Sequence, residues 1–435
     1  CMAAVERSRS KAAMILKRRD GQTLNYISSW IFALGGIGVL FVLGEQLINN
    51  PPLFIQQMLN GLQLGFIYAL IALGYTMVYG IVKLINFAHG DVFMVGAFTS
   101  FFAISVLDLH NWPTRLIPGL APGLSIVLGT VTVMLLTMVV SAVLAIVIER
   151  FAYRPLREKP RIAALITAIA VSFFLEYFGA LPFALTNNYI TYPRPFEIAV
   201  FSAGIIPIGV LVALWALFGL SIGAYFILRA MGKRGNAKMR LWAQHPLLQL
   251  GMLLGGFLAV VLTLTTLRIQ TERGVWDLSV SNVALVIMGG SILLQVVLQY
   301  IVSQTRLGKA MRAAAYDKQT ARLMGINVDT VITATFALGG ALGGAGGMLY
   351  ATAFKQVHHL MGIIPGMKAF VAAVLGGIGS IPGALVGSLI MGQAETLAAS
   401  FISTPMRDAI SFSLLIIVLL FRPQGLFGEP PGEKV

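Results

Sequence analysis

Apolar residues along the chain do not recur with the period of a soluble amphipathic helix or of a half-buried strand. They run on in long blocks, separated by short polar and basic stretches, at 27–47, 55–82, 90–107, 120–148, 163–184, 204–229, 247–268, 281–303, 328–353, 366–377, 382–399 and 407–421. Crossing the hydrocarbon of a bilayer takes about 20 predominantly apolar residues, and most blocks reach that length. The block 366–377 is too short to cross alone. A half-helix or re-entrant piece is tolerable there only if protein covers its backbone groups. The pattern predicts an all-α, polytopic integral membrane helical bundle with about 12 membrane segments, half-helices included.

Composition supports this reading. Of 435 residues 57% are hydrophobic and 11% charged, with a mean hydropathy of +0.84. A soluble domain carries about 25% charged residues, so this chain lacks the polar skin that water would demand. The single cysteine, Cys1, excludes a disulfide scaffold; it precedes Met2 and is expected to be a start artefact. Arg7, Arg9, Lys11, Lys17, Arg18 and Arg19 lead into an apolar stretch without a convincing cleavage site, so no cleavable signal peptide is expected.

The net charge of +14 is distributed in clusters between the apolar blocks, not interleaved with aromatics on a soluble module. A lipid membrane is therefore the expected partner, and nucleic acid is not. Placing residues 1–26 in the cytoplasm puts 24 of the 31 Lys and Arg residues on that side and 7 on the other. This bias predicts an even number of crossings with both termini cytoplasmic.

Catalytic signatures are missing. The Gly-Lys pairs Gly232-Lys233 and Gly308-Lys309 are followed by Arg234 and Ala310, so no phosphate-cradling loop forms by that route. There is no H-E-x-x-H, C-x-x-C or G-x-S-x-G pattern. The expectation is a chain that is not an enzyme, with no catalytic, cofactor or metal site of its own. His358-His359 looks like a metal pair, but adjacent residues diverge on a helix and no acid or thiol accompanies them; an extracytoplasmic loop is the better reading.

Polar residues inside apolar surroundings are costly and informative. Ile85-Asn86-Phe87-Ala88-His89-Gly90-Asp91 sets three of them between two apolar runs. One reading is an interfacial turn, with Asp91 as a helix N-cap and His89 internally satisfied. The other is a broken-helix corner beside a path through the membrane, with Asn86, His89 and Asp91 as candidate pathway residues. Glu176 is an isolated acid in an apolar run, expected to hydrogen-bond between helices.

Glycine is abundant in the blocks. Gly339, Gly340, Gly343, Gly344 and Gly347 make three overlapping G-x-x-x-G spacings, and Gly383/Gly387 makes another. Such residues cost about 1 kcal/mol each in a soluble helix, but in lipid they let helices approach closely. Packing is one reading. The breaks at Gly377, Gly379, Pro382 and Gly383 also suit a hinge or the lining of a path. A second distinctive stretch is 305–327, where alanines at 310, 313, 314, 315 and 321 favour a helix and Gly325 is placed to cap its end. It is expected to be a short, basic cytoplasmic helix, either lying on the membrane surface or docking its small face into a groove of another protein.

Several of these stretches resemble the permeases of bacterial branched-chain amino-acid ABC importers, most of all the smaller of their two permease subunits. The likeness is carried by Met58-Leu-Asn-Gly61, Tyr68-Ala-Leu-Ile-Ala-Leu-Gly74, Ile85-Asn-Phe-Ala-His-Gly-Asp91, Glu149-Arg-Phe-Ala-Tyr-Arg154-Pro155, Gly366-Met-Lys-Ala-Phe370 and Val374-Leu-Gly-Gly-Ile-Gly-Ser-Ile-Pro-Gly383. It covers about 52–198 and 275–435. The resemblance implies a permease subunit of the bacterial inner membrane that forms the pathway for branched-chain amino acids by alternating access. Its implied partners are a second permease subunit, two cytoplasmic ATP-binding subunits and a periplasmic amino-acid-binding protein, with no cofactor of its own. Permeases for urea or short amides look similar and are the alternative. It also places the ATPase-coupling loop at 305–327, with Arg312, Ala313, Ala314, Ala315, Asp317 and Gly325 as coupling residues. Arg312 stands where an acid often opens the loop motif, and Asp317-Lys318 where an early glycine is common.

The domain organisation that follows has four parts. Residues 1–51 form a basic tail and an extra leading helix, and 52–198 the first part of the permease core. Residues 199–274 form an inserted hairpin of two spans joined by a basic cytoplasmic loop, and 275–435 the second part of the core.

Overall fold

The computed structural model describes residues 41–157, 159–182, 185, 187–197, 200–201, 268–271, 274–277, 280–422 and 424–427. The N-terminal basic tail, most of the leading block, the two inserted spans with their basic loop, and the last eight residues lie outside the described residues; 41–47 of the leading block are helical.

The chain is a bundle of helices. In order they are α1 Pro51–Val82, α2 His89–Ser105, α3 Trp112–Leu116, α4 Pro122–Ile148, α5 Arg161–Gly179, α6 Asn282–Gln304, α7 Arg306–Tyr316, α8 Lys318–Leu323, α9 Val328–Phe354, α10 Ile363–Gly376, α11 Ile381–Phe401 and α12 Arg407–Phe421. Among the described residues six helices are long and apolar enough to cross a membrane, or seven if α2 and the 62° bent segment after it form one span. The expected count of about 12 includes blocks that are not described.

Local chemistry sets the ends. Proline stands in the first turn of α1, α4 and α11, where its missing N–H costs nothing. Ser281, Thr305, Asn327 and Ser380 cap α6, α7, α9 and α11 by accepting from the backbone N–H three residues on. The stretch 305–327, expected as one helix, is two. Asp317 leaves the helical region and accepts from the N–H groups of Gln319 at 2.8 Å and Thr320 at 3.3 Å, which ends α7 and starts α8. Gly325, at φ +82°, closes α8: its N–H donates to Arg322 and that of Ile326 to Ala321, both at 3.0 Å.

Helix α9 runs through the centre and touches α1, α2 and α4. Its glycines are where those helices meet it. A Cβ at Gly340 would lie 2.5 Å from the Ala145 Cβ, one at Gly344 would strike the Ser141 side chain, and one at Gly347 would strike the Phe93 carbonyl oxygen. A Cβ at Gly339 would lie 3.4 Å from the Gly74 carbonyl oxygen, and one at Gly343 would meet only the edge of the His89 ring at 3.4 Å.

The short block at 366–377 is α10, a 14-residue helix. It spans about 21 Å, less than the roughly 30 Å of hydrocarbon. Protein covers its end. The N–H of Leu426 donates to the Leu375 carbonyl and that of Phe427 to the Gly376 carbonyl, each at 2.9 Å. The turn beyond it needs Gly377 at φ +105° and Gly379 at φ +100°.

Six short strands complete the described chain. The pair β1 Ile190–Thr191 and β6 Gln356–Val357 runs antiparallel, as does β3 Arg268–Thr271 with β4 Gly274–Asp277. Arg268, the last residue of an expected span, is thus the first of a strand. Strand β2 Val200–Phe201 pairs antiparallel with β5 Val280–Ser281. The two flanks of the insertion are therefore hydrogen-bonded neighbours, and the chain re-enters the bundle where it left.

The glycines of α9 differ in what they abut, and this yields a test. Gly347→Ala presses a methyl onto backbone and should cost about 1–3 kcal/mol by overpacking. Gly343→Ala, against a ring edge, should cost much less. Thermal unfolding of the two purified variants checks the difference; equal midpoints would refute it.

Candidate functional site

The helix pair α7–α8 stands at the end of the bundle where α1 finishes. Ala314 and Met311 are buried against the bundle, with Ala313 and Ala315 half-buried. The small face expected to dock outward is thus turned inward. What faces out is larger: Tyr316 is 96% exposed, Leu323 87% and Met324 77%, with Arg312, Asp317 and Gly325 exposed beside them. Lys318 Nζ donates to the Val82 carbonyl at 3.2 Å, which ties α8 to the last turn of α1. Arg312 donates to the Val302 carbonyl. The Thr320 hydroxyl, with the N–H groups of Thr320 and Gln319, holds the Asp317 carboxyl below its usual pKa. The cap is therefore complete above the ordinary carboxylate range and lost as pH falls through that lowered value.

Between α7, α6 and the end of α1 lies a cavity of about 620 Å³, closed on its far side by the loop after α10. Arg312 and Ala315 line it opposite Gly379 and Pro382. Two stretches singled out separately in the sequence share one space. Gly383 is packed against Gly376 instead, and a Cβ on either would strike the other's backbone.

A network of charges braces the same end. Helix α4 continues through a π-helical turn, Glu149–Tyr153, and a 3₁₀ turn, Arg154–Leu156. Such turns recur at functional sites. Glu149 is fully buried, pairs with Arg157 and accepts from the Thr333 hydroxyl at 2.8 Å. Arg157 also meets Asp329 at 2.5 Å, and Asp329 meets Arg154 at 3.1 Å and Arg322 of α8 at 3.7 Å. The network joins α4, α8 and the start of α9.

The three candidate pathway residues have separate surroundings. Asn86 accepts from the Tyr153 hydroxyl at 2.6 Å, so the corner is tied to the π-turn. The His89 ring fills a slot between Gly74 and Gly343 and meets Tyr75 edge-on at 4.7 Å; its Nε2 has no hydrogen-bond partner. Asp91 does not cap α2, whose N-cap is Ala88 without a side-chain bond. Its carboxylate takes the Ser172 hydroxyl of α5 at 2.5 Å, and Glu176 lies 3.4 Å from the same hydroxyl. Asn86, His89 and Asp91 are all buried. His358 stacks on Tyr189 at 4.1 Å and, with Nδ1 accepting from Leu360 N–H, presents Nε2 to the Asn187 carbonyl at 3.2 Å.

Residues 57–419 match the family described as branched-chain amino acid transport system / permease component. The chain belongs to this permease family. It is 35% identical to the high-affinity branched-chain amino acid transport system permease protein LivH of Salmonella typhimurium, over 88% of this chain and 98% of that one. It is 36% identical to LivH of Escherichia coli K12 and 33% to BraD of Pseudomonas aeruginosa, both with the same coverage. No solved structure matches.

The permease also carries a charged cluster that sequence reasoning missed. Lys368, counted among the seven basic residues of the non-cytoplasmic side although it lies in the short block 366–377, is 1% exposed and inside α10. Its Nζ lies 2.7 Å from Glu395 of α11 and 2.7 Å from Asp408 of α12. Arg407 Nε reaches Glu395 at 3.1 Å, and the Tyr68 hydroxyl of α1 donates to the other Glu395 oxygen at 2.9 Å. The signal was available: a lysine and a glutamate each stand alone inside an apolar block, and such residues need one another.

Breaking the network at α4 checks its weight. In the permease, Arg157→Met leaves the buried Glu149 carboxylate unpaired and should cost about 3–5 kcal/mol. The exposed neighbour Arg150→Met should cost almost nothing. Chemical or thermal unfolding of the two variants gives the comparison.

Proposed function

We propose that the chain is the pathway-forming permease subunit of an ATP-driven importer for branched-chain amino acids, in the inner membrane of a bacterium. The near-complete alignment with permeases named for that cargo carries the reading, and nothing in the structure favours the urea or amide alternative. The coupling segment is α7–α8. Its outward tip, Tyr316, Leu323 and Met324, offers apolar side chains in a basic surround, the kind of surface that seats in a partner's groove. ATP is bound and hydrolysed by two partner subunits, a second permease completes the pathway, and a periplasmic binding protein delivers the amino acid. Both chain termini and the loop of the 199–274 hairpin face the cytoplasm, as the basic residues favour.

Movement of α7–α8 has two direct routes into the bundle. One runs through Lys318 to the end of α1, the other through Arg322 and Asp329 to the π-turn and Asn86. Arg312 faces the glycine turn of α10 across the 620 Å³ cavity, which leaves that turn room to move. Gly377, Gly379 and Pro382 are the hinge in this scheme, and Asn86, His89 and Asp91 transmit its motion to the path. ATP-driven states shift only as far as each subunit's affinity differs between them.

The test is ATP-driven uptake by the assembled complex in proteoliposomes. Leu323→Glu with Met324→Glu should lower leucine uptake at least 10-fold while the protein still inserts and folds. Undiminished uptake by that variant would move the coupling surface elsewhere. Ala314→Glu would instead test packing, because Ala314 is buried.

A further inference from the structure

Among the described residues, one cavity adjoins the charged cluster at Lys368 and Glu395. It lies at the end of α1 opposite α7–α8, has a volume of about 320 Å³ and is lined by Gln57, Asn60, Leu64, Phe354, Glu395 and Arg407 among others. That volume falls at the low end of the roughly 300–1,000 Å³ of small-molecule sites. Residues 57–67 of α1 are 15–25 positions from Val82, which sets the cavity about 20–40 Å along the helix from the coupling segment.

The chemistry of the lining is mixed in a particular way. Glu395 and Arg407 are the charged members, amide side chains flank them, Thr396 and Ser400 add hydroxyls, and Leu64, Ile67, Phe354 and two alanines form the apolar part of the wall. Glu395 is 2% exposed, held from behind by Lys368 and Tyr68, so its carboxylate is fixed before anything arrives. Arg407 is 41% exposed and uses only Nε on Glu395, which leaves the two Nη groups of its fork for a carboxylate. The quartet Lys368, Glu395, Arg407 and Asp408 is neutral. A ligand of net charge would leave an uncompensated charge in a low-dielectric layer, which is expensive. A ligand with one charge of each sign would not.

We propose that this cavity is the entry site for the zwitterionic head of an aliphatic α-amino acid. Arg407 takes the carboxylate, Glu395 the ammonium, and the wall around Leu64 and Phe354 the apolar side chain. The proposal rests on the reading of the chain as an amino-acid permease and adds to it a place and a polarity.

The assembled complex without its binding protein is titrated with L-leucine, read by calorimetry and by shift in thermal midpoint. L-Leucine should bind and protect, whereas isoamylamine and the α-keto acid of leucine, which each lack one charge, should not. Arg407→Gln should weaken leucine binding at least 10-fold, with Arg407→Lys recovering part of it. Asn60→Trp, which fills the cavity from an exposed position without touching a charge, should weaken it as much. Equal protection by the amine or the keto acid would overturn the site, as would wild-type affinity in either Arg407→Gln or Asn60→Trp. A wild-type complex that imports leucine from its binding protein yet binds none alone would also overturn the site, and would leave the permease reading intact. A wild-type complex that imports no branched-chain amino acid would sink that reading itself.

Discussion

Close approach of backbones at α9 is the constraint on which the rest depends. Lipid tails are as apolar as leucine, so helices in a bilayer gain little by hiding side chains from water and must gain by contact. Along one face of α9 the chain supplies no side chain at all at Gly340, Gly344 and Gly347, and α4 and α2 come in to fill the space. That places α1, α2 and α4 around one axis, and with them the corner at Asn86, the π-turn at Glu149 and the end of α1 that Lys318 of α8 grips.

Charges then decide what can move. The network at Glu149 is anchored by a residue with no access to solvent, and its members spread over the end of α4, α8 and the start of α9. The quartet at Lys368 ties the short helix α10 to α11 and α12 in the same way. Between these two braced regions lie the elements with room: the glycine turn after α10 and the cavity beneath α7. A subunit that must cycle between states benefits from a division of this kind, with stiff ends and a compliant turn.

Much of the fold could be read from the chain because the bilayer imposes so simple a rule. The limits of α6, α9, α11 and α12 lie within two residues of their apolar blocks, and the short block at 366–377 is a short helix. Where reading failed, periodicity was silent on partners. Nothing in 305–327 told which face of the alanine helix would be buried, since small residues suit both a lipid-shielded core and a docking groove. Ala314 went inward because α7 lies against the bundle. The charge bias counts Lys368 simply as one of the seven basic residues on the outer side; only the fold shows Glu395 waiting one helix away. Asp317 split a helix because its carboxylate reached its own backbone two and three residues on, a local competition that composition does not reveal.

The bonds from Leu426 and Phe427 to the end of α10 bear on how the protein is made. Leu375 is synthesised 51 residues ahead of Leu426, its hydrogen-bonding partner. Through that interval the carbonyls at the end of a half-helix lack their final hydrogen-bond donors, and α11 and α12 must be threaded while they wait. A spanning helix can be released to lipid as soon as it is complete, since its backbone satisfies itself. This one cannot, so the seating of α10 belongs to the last stage of biogenesis, after translation of the segment that closes it.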